Sequence, residues 1–182
     1  MIKDQSTSEI AEVIRNRRKA LYIRKGYISL FIRVALIAVV GYILFTQVFL
    51  ITQAKGNDMF PAIKDGDLII AFRLQKDYVK NDIVVYQVGD ITYLGRIVAR
   101  GDDVINHDEE TTLLVNGTVQ RGEIVYPTLI KDGLDYPQYI MEGNTFILGD
   151  HRIQALDSRD FGQIPLEQIE GKIITILRRR GL

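Results

Sequence analysis

Two histidines and two acidic stretches are the side chains in this sequence that could hold a metal ion or move protons. His107 and His151 lie far apart and lack the neighbouring Cys, His, Asp or Glu spacing that a zinc site needs. The acidic residues at 102–103 and 108–110 could bind calcium, but the loop pattern of the common calcium-binding motif is absent. The chain has no cysteine, which excludes disulfides and thiolate metal sites. We therefore expect no metal and no other cofactor.

The overall charge argues against a nucleic-acid-binding protein. The 23 lysines and arginines balance 23 aspartates and glutamates, whereas nucleic-acid-binding domains usually carry a basic surplus. The charge is uneven along the chain, because seven basic residues and three acidic ones precede residue 26. This basic N-terminal stretch lies directly before the most apolar part of the sequence.

Residues 34–51 contain no charged side chain and are long enough to cross a membrane. As a helix they would span about 27 Å, close to the hydrocarbon thickness of a bilayer. Residues 28–32 extend the apolar run, and Arg33 can reach the lipid headgroups with its guanidinium. We predict a cytoplasmic basic helical segment at 1–27, a single transmembrane helix at 28–52 and an extracytoplasmic domain at 53–182.

Basic residues next to a membrane-spanning helix usually stay on the cytoplasmic side. We therefore predict a single-pass protein of the cell membrane whose N-terminus is cytoplasmic and whose C-terminal domain is extracytoplasmic. A cleaved signal peptide is the alternative. It is disfavoured because the apolar run exceeds the roughly 7–15 residues of such peptides and no small-x-small site follows it.

After residue 52 the pattern of apolar residues changes from helical to alternating. Strands are predicted at 67–74, 82–88, 91–98, 111–115, 118–121, 145–148 and 172–177. Gly89-Asp90 and Asn116-Gly117 are typical of two-residue hairpin turns. Residues 165–169 alone resemble a helical turn, and residues 121–142 resemble a surface excursion. The fold class is therefore mainly β, an antiparallel sheet domain behind one N-terminal helix.

Three segments in this domain resemble, in order, the boxes that define type I signal peptidases. The first, residues 56–61, reads G-N-D-M-F-P and is followed by G-D at 66–67. The second reads N-D-I-V-V-Y at 81–86 and Y-L-G-R-I-V-A at 93–99. The third reads G-D-H-R at 149–152, D-S-R at 157–159 and F-G at 161–162. The resemblance covers the anchor and nearly the whole outer domain, and it implies a signal-peptidase-like fold.

The departures from the family pattern fall on the residues that the family uses for chemistry. Family enzymes use a serine nucleophile and a neutral lysine base, oriented by a second serine. By the resemblance, the nucleophile position is Asp58, the lysine position is Gly95 and the orienting position is Ala155. The resemblance therefore implies a protein without the serine–lysine dyad and without signal peptidase activity.

Neighbouring residues offer few substitutes for the lost dyad. Arg96 stays protonated and points to the opposite face from Gly95. An aspartic-protease mechanism would need a second carboxylate sharing a proton with Asp58, and Asp157 is the candidate. A Ser158–His151 arrangement is less favoured, because both residues lie in the third box. The resemblance instead implies structural support from Pro61, Asp157, Ser158 and Arg159.

A scaffold of this kind can still bind an extended peptide through main-chain hydrogen bonds. The expected cleft contains Asp58, Met59, Tyr93 and Leu94. The sequence resembles the SipA type of non-catalytic, signal-peptidase-like protein, which Gram-positive bacteria need for pilus assembly and for which a chaperone-like role has been proposed. That resemblance implies pilin subunits or a sortase as partners. A residual or unconventional signal peptidase and a modulator of an active one are the alternatives, and the oligomeric state is open.

Overall fold

The computed structural model describes residues 2–119 and 126–178 of the chain. The chain divides into two compact units, residues 1–46 and 47–182. The first unit lies in one long helix, α1 (Ile2–Val48). An apolar window within Arg17–Val48 has a mean hydropathy of 2.5 and no buried residue. By length and composition α1 could therefore serve as a membrane anchor or a signal sequence.

The helix ends four residues before the end of the segment 28–52 that the sequence predicts to be helical. Strand β1 (Phe49–Gln53) begins directly after Val48 and pairs with β2 along its whole length, from Phe49 opposite Phe72 to Gln53 opposite Leu68. No glycine or proline marks this boundary. The apolar run therefore continues from helix into strand without a signal that composition could reveal.

The second unit is built around a seven-stranded antiparallel sheet. Its strands are β1, β2 (Leu68–Phe72), β3 (Ile83–Val88), β4 (Ile91–Arg100), β9 (Asn144–Leu148), β10 (Ile164–Pro165) and β11 (Ile169–Leu177). They are arranged in the order β1-β2-β11-β3-β4-β9-β10. The Gly89-Asp90 turn joins β3 and β4 as predicted, with Val88 opposite Ile91. This arrangement places β4, which carries Gly95, between β3 and β9.

A smaller antiparallel sheet extends the domain. It contains β5 (Val104–His107), β6 (Leu113–Val115), β7 (Thr118–Val119) and β8 (Gln138–Tyr139), in the order β7-β6-β5-β8. Asn116 and Gly117 both have positive φ, 51° and 73°, as a tight hairpin turn between β6 and β7 requires. The predicted strand 118–121 is described only to Val119, and residues 120–125 lie outside the described part.

The prediction of a mainly antiparallel β domain behind an N-terminal helix is confirmed, although several short elements were missed. Strands β5 and β8 and helix α2 (Ser158–Phe161) are not in the prediction, which placed the only helical turn at 165–169. That turn is a 3₁₀ helix at Leu166–Gln168. Helix α2 begins at the N-cap Asp157, whose side chain accepts from the Arg159 backbone N–H. Its four residues are too few to show a helical apolar period.

Two apolar clusters lie beneath the first and second boxes. One packs Met59 with Ala54, Ile63 and Ile69 under the first box. The other packs Tyr86 with Val84, Ile97 and Ile147 between β3, β4 and β9. These clusters fix the loop of the first box against the sheet that carries the second.

Candidate functional site

The turn that carries Asp58 is held against the third box by backbone contacts. The Asp58 carbonyl oxygen accepts a hydrogen bond from the His151 backbone N–H at 2.9 Å. Gly149 makes room for this approach, because a Cβ at that position would lie 2.7 Å from the Asp58 carbonyl oxygen and would collide with the Ala155 Cβ. The structure therefore brings the first and third boxes together at Asp58.

Gly95 lies on β4 opposite Val84, and the space beside it is already filled. A Cβ at this position would collide with the Ile147 Cγ2 atom and lie 3.1 Å from Tyr86 Cε1. Both neighbours are fully buried and close-packed. Position 95 therefore lacks the lysine, and the neighbouring side chains also leave no space for a longer residue there.

Ala155 is fully buried and offers no side-chain hydrogen bond. Its carbonyl oxygen accepts a hydrogen bond from the Lys131 ammonium at 2.8 Å. Lys131 also donates to Asp160 Oδ2 at 2.6 Å. A lysine thus reaches the neighbourhood of Asp58 from the segment that the sequence identified only as a surface excursion.

Lys131 is placed as a hydrogen-bond donor. A general base needs a free lone pair within reach of the proton it removes, and the Lys131 nitrogen is oriented toward a carbonyl and a carboxylate. Lys131 was not among the predicted site residues, because its position depends on how a long loop packs across the third box. Arg159 contributes to that packing by donating to the Leu129 carbonyl oxygen at 3.1 Å.

Asp157 and Arg159 form a buried ion pair in which the two side chains are hydrogen-bonded to each other. Arg159 donates from Nε to Asp157 Oδ1 at 2.9 Å and from Nη2 to Asp157 Oδ2 at 2.8 Å. Asp157 also accepts from the Gly149 backbone N–H at 3.2 Å. Since both of its carboxylate oxygens are occupied, Asp157 is not arranged to share a proton with Asp58 in an aspartic-protease pair.

Ser158 and His151 are not hydrogen-bonded to each other. The Ser158 hydroxyl oxygen accepts from the Ile147 backbone N–H at 2.9 Å, and the side chain is fully buried. The His151 ring packs near Phe60 and Tyr126, at centroid distances of 6.4 and 4.9 Å. Arg96, the neighbour of Gly95, forms a two-pronged ion pair with buried Asp150 at 2.7–2.8 Å.

The Asp58 carboxylate differs from these groups, because no donor among the described residues lies within hydrogen-bond distance of it. Burial raises the pKa of Asp58, and the charge of Asp157 raises it further. The charges of His151 and Lys131 act in the opposite direction. Asp58 is therefore a partly buried acceptor whose surroundings, taken together, disfavour its charged form.

Asp58 lies at a cleft of about 460 Å³, and the four residues expected to form a peptide-binding cleft all line it. Asp58 and Met59 belong to the first box, and Tyr93 and Leu94 belong to β4. The remaining lining residues are 52–56, Ile63 and 90–92. No group of three His, Cys, Asp or Glu side chains suited to a metal ion occurs in the described parts of the chain.

The chain is similar in sequence to several known proteins. Residues 25–177 match the family model described as signal peptidase, peptidase S26. The chain is 30% identical over 135 residues to a probable thylakoidal processing peptidase 2 of Arabidopsis thaliana, covering 65% of this chain and 35% of that protein. It is 29% identical over 135 residues to signal peptidase I of Bacillus caldolyticus, covering 65% of this chain and 74% of that protein.

A further relative is an inactive signal peptidase IA of Staphylococcus aureus. It is 26% identical over 153 residues, covering 77% of this chain and 86% of that protein. A solved signal peptidase I of Enterococcus faecalis matches at 19% identity with a TM-score of 0.43, covering 54% of this chain and 97% of that one. The chain spans little more than a third of the length of the two plant relatives, 35% and 39%.

Proposed function

Because this chain belongs to the signal peptidase S26 family, we propose that it is a non-catalytic member that holds an extended segment of a partner protein in the cleft at Asp58. The nucleophile position carries a carboxylate, which is a poor nucleophile toward a peptide bond. The lysine position is a glycine whose surroundings leave no room for a longer side chain. The relative named as an inactive signal peptidase supports the view that members without activity exist.

The observation that carries the proposal is a cleft bordered by two strand edges. Strand β1 has β2 as its neighbour in the sheet, and no strand in the described parts of the chain pairs with its other edge. On β4, residues Ile91–Arg96 pair with β3, whereas β9 pairs with β4 only from Arg96 onward. Residues 91–95 of β4 therefore also have an edge without a strand partner. Residues from both edges line the same cleft.

Unpaired edges of this kind bind extended chains through main-chain hydrogen bonds, which require no nucleophile. A bound segment would lie between β1 and β4 and would reach Asp58 beside Met59. The cleft floor is apolar, because Ala54, Met59 and Ile63 belong to one buried cluster. We therefore expect a segment with apolar side chains toward the floor and a lysine or another hydrogen-bond donor at Asp58.

Pilin subunits or a sortase are the partners that we propose, on the ground of the resemblance to the SipA type. In that role the protein is an assembly factor with a chaperone-like function, tethered by α1 in the cell membrane. The apolar surface of α1 is compatible with such a tether.

The proposal is tested by measuring binding with the full chain in lipid nanodiscs. Purified pilin, sortase and an active signal peptidase are presented separately to the wild type and to Asp58→Ala. We expect saturable binding of pilin or sortase that weakens about tenfold or more in the variant. Binding that occurs only with the active peptidase would favour a modulator of that enzyme. No binding to any of the three would overturn the proposed function.

A residual or unconventional signal peptidase is the second candidate, because the cleft is retained and Lys131 lies near Asp58. It is tested by incubating the full chain with an exported preprotein and following the product by mass spectrometry. We expect no cleavage. Specific cleavage that disappears in both Asp58→Ala and Lys131→Met would establish the enzyme instead.

A further inference from the structure

Tyr86 on β3 carries a buried hydroxyl that has no hydrogen-bond partner among the described residues. The side chain is fully buried, and its ring is stacked on Tyr93 at a centroid distance of 5.8 Å. Leaving a buried hydroxyl without a partner costs free energy, so folded proteins rarely do so without a reason. We therefore expect a hydrogen-bond acceptor close to this hydroxyl.

The Tyr86 ring lies beside Gly95, one neighbour away from the backbone that contacts Asp58. A Cβ at Gly95 would lie 3.1 Å from Tyr86 Cε1 and 3.3 Å from the Leu148 carbonyl oxygen. The next residue, Gly149, is the one whose missing side chain admits the Asp58 carbonyl oxygen. Tyr86, Gly95, the 148–149 backbone and Asp58 are therefore successive neighbours. The ring lies beside the glycine that replaces the family's lysine.

The charge of Asp58 also acts on the Tyr86 hydroxyl. Burial, followed by the charges of Asp157, Tyr93 and Asp58, raises the pKa of Tyr86 far above its ordinary value. The hydroxyl therefore stays protonated and acts as a donor. Asp58 is the matching acceptor, since its carboxylate has no donor and the carboxylate of Asp157 is occupied by Arg159.

We propose that the Tyr86 hydroxyl donates a hydrogen bond to the Asp58 carboxylate through one water, and that this pair replaces the serine–lysine pair of the active enzymes. Gly95 is part of the arrangement, because a side chain at that position would crowd the tyrosine ring and collide with Ile147. Tyr86 is thus a positioning residue that holds the acceptor at the end of the cleft. Active members use the same place for a nucleophile.

The pair is tested by titrating Asp58 in the full chain in detergent micelles. Aspartate labelled with ¹³C at Cγ reports each carboxyl group by NMR, and Asp58→Asn identifies the resonance. We expect Tyr86→Phe to raise the apparent pKa of Asp58 by about one unit, because a hydrogen bond to the charged form is lost. An Asp58 titration that Tyr86→Phe leaves unchanged would overturn the proposal.

Tyr78→Phe is the matched control. Tyr78 lies in the same apolar cluster, and its hydroxyl is likewise buried without a described partner. The charge that acts on it is Asp82 rather than Asp58. This variant removes the same group from the same environment and should leave the Asp58 titration unchanged. An equal shift in both variants would mean that the effect is not specific to Tyr86.

A second measurement uses melting temperatures in a double-mutant cycle. Tyr86→Phe should lower the melting temperature by a few degrees in the wild type and by less in an Asp58→Ala background. Equal effects in the two backgrounds would show that the hydroxyl and the carboxylate do not interact. Both experiments are done without a partner, so they remain decisive even if the proposed peptide binding fails.

Discussion

A lysine at position 95 would have to displace the side chains that occupy its space. We expect the double variant Asp58→Ser with Gly95→Lys to show no signal peptidase cleavage and to melt at a lower temperature than the wild type. A Cβ at position 95 already collides with Ile147, and overpacking a core costs about 1–3 kcal/mol. Ala155 also lacks the hydroxyl that would orient the new amine. Cleavage is followed with a fluorogenic signal-peptide substrate.

The matched control for this reversal adds Ile147→Ala to the double variant. Removing the Ile147 Cγ2 atom relieves the collision without changing the two chemical positions. If crowding is the obstacle, the triple variant should melt at a higher temperature than the double variant. Vigorous cleavage by the double variant alone would contradict the steric argument.

Breaking the buried pair of Asp157 and Arg159 should cost far more stability than breaking an exposed ion pair. We expect Arg159→Met to lower the free energy of unfolding by about 3–5 kcal/mol, because Asp157 is left buried and unpaired. Asp77→Ala is the control, since Asp77 is 97% exposed and 3.9 Å from Arg100, and its loss should cost less than about 1 kcal/mol. Urea unfolding of both variants measures the difference, and similar losses would contradict the assignment.

The raised pKa of Asp58 predicts how stability depends on pH. A carboxyl group whose pKa is higher in the folded state binds protons more readily there than in the unfolded chain. Its stabilising contribution is complete below the unfolded value of about 3.8 and is lost as the pH rises through the folded pKa. We expect Asp58→Asn to gain stability relative to the wild type as the pH rises through that window. Melting curves at several pH values measure this, and a constant difference would contradict it.

The open edge of β4 is the element on which peptide binding depends. Leu94 is partly buried and lines the cleft, so Leu94→Arg would place a charge where an apolar side chain of the partner should pack. We expect this variant to weaken partner binding by about tenfold or more. Leu74→Arg is the control, because Leu74 is 59% exposed and does not line the cleft. Equal partner binding by the two variants in the nanodisc assay would argue against the edge of β4 as the binding site.

The hairpins were predictable at the level of elements because their turns are marked by local chemistry. Gly89-Asp90 and Asn116-Gly117 adopt the turns that their residues favour. Strand β1 was not predictable, because its extended conformation follows from pairing with β2 and its composition continues that of the helix. Helix α2 is too short to show a period, and only the capping residues at Asp157 and Asp160 mark it.

The site divides in the same way between local and long-range information. The sequence identified Asp58, Gly95 and Ala155, because each lies within a box of recognisable residues. It missed Lys131 and the role of Tyr86. Lys131 reaches the site through a loop far away in sequence, and Tyr86 matters because a ring fills the space beside Gly95. Only packing reveals contacts of this kind.

At the scale of the whole molecule, we predict that the cleft lies outside the cytoplasm. Because the chain has no cysteine, a single introduced cysteine can be labelled without background from other thiols in the protein. Single cysteines are introduced as Ser8→Cys, in the part of α1 that precedes the apolar run, and as Glu109→Cys in an exposed turn of the second unit. A membrane-impermeant maleimide should label Glu109→Cys in intact cells, and Ser8→Cys only after permeabilisation. The reason is the basic excess before residue 26, which favours a cytoplasmic N-terminus.

The same pair of variants separates a membrane anchor from a cleaved signal sequence. If α1 is retained, both variants give a labelled protein of full length, 20.7 kDa before the label is added. Cleavage after the apolar run would remove the cysteine at position 8, so the mature protein would carry label only at position 109 and migrate as a shorter chain. Labelling of Ser8→Cys in intact cells would mean that the protein has the opposite orientation in the membrane. The cleft would then face the cytoplasm, where partners assembled at the cell surface could not reach it.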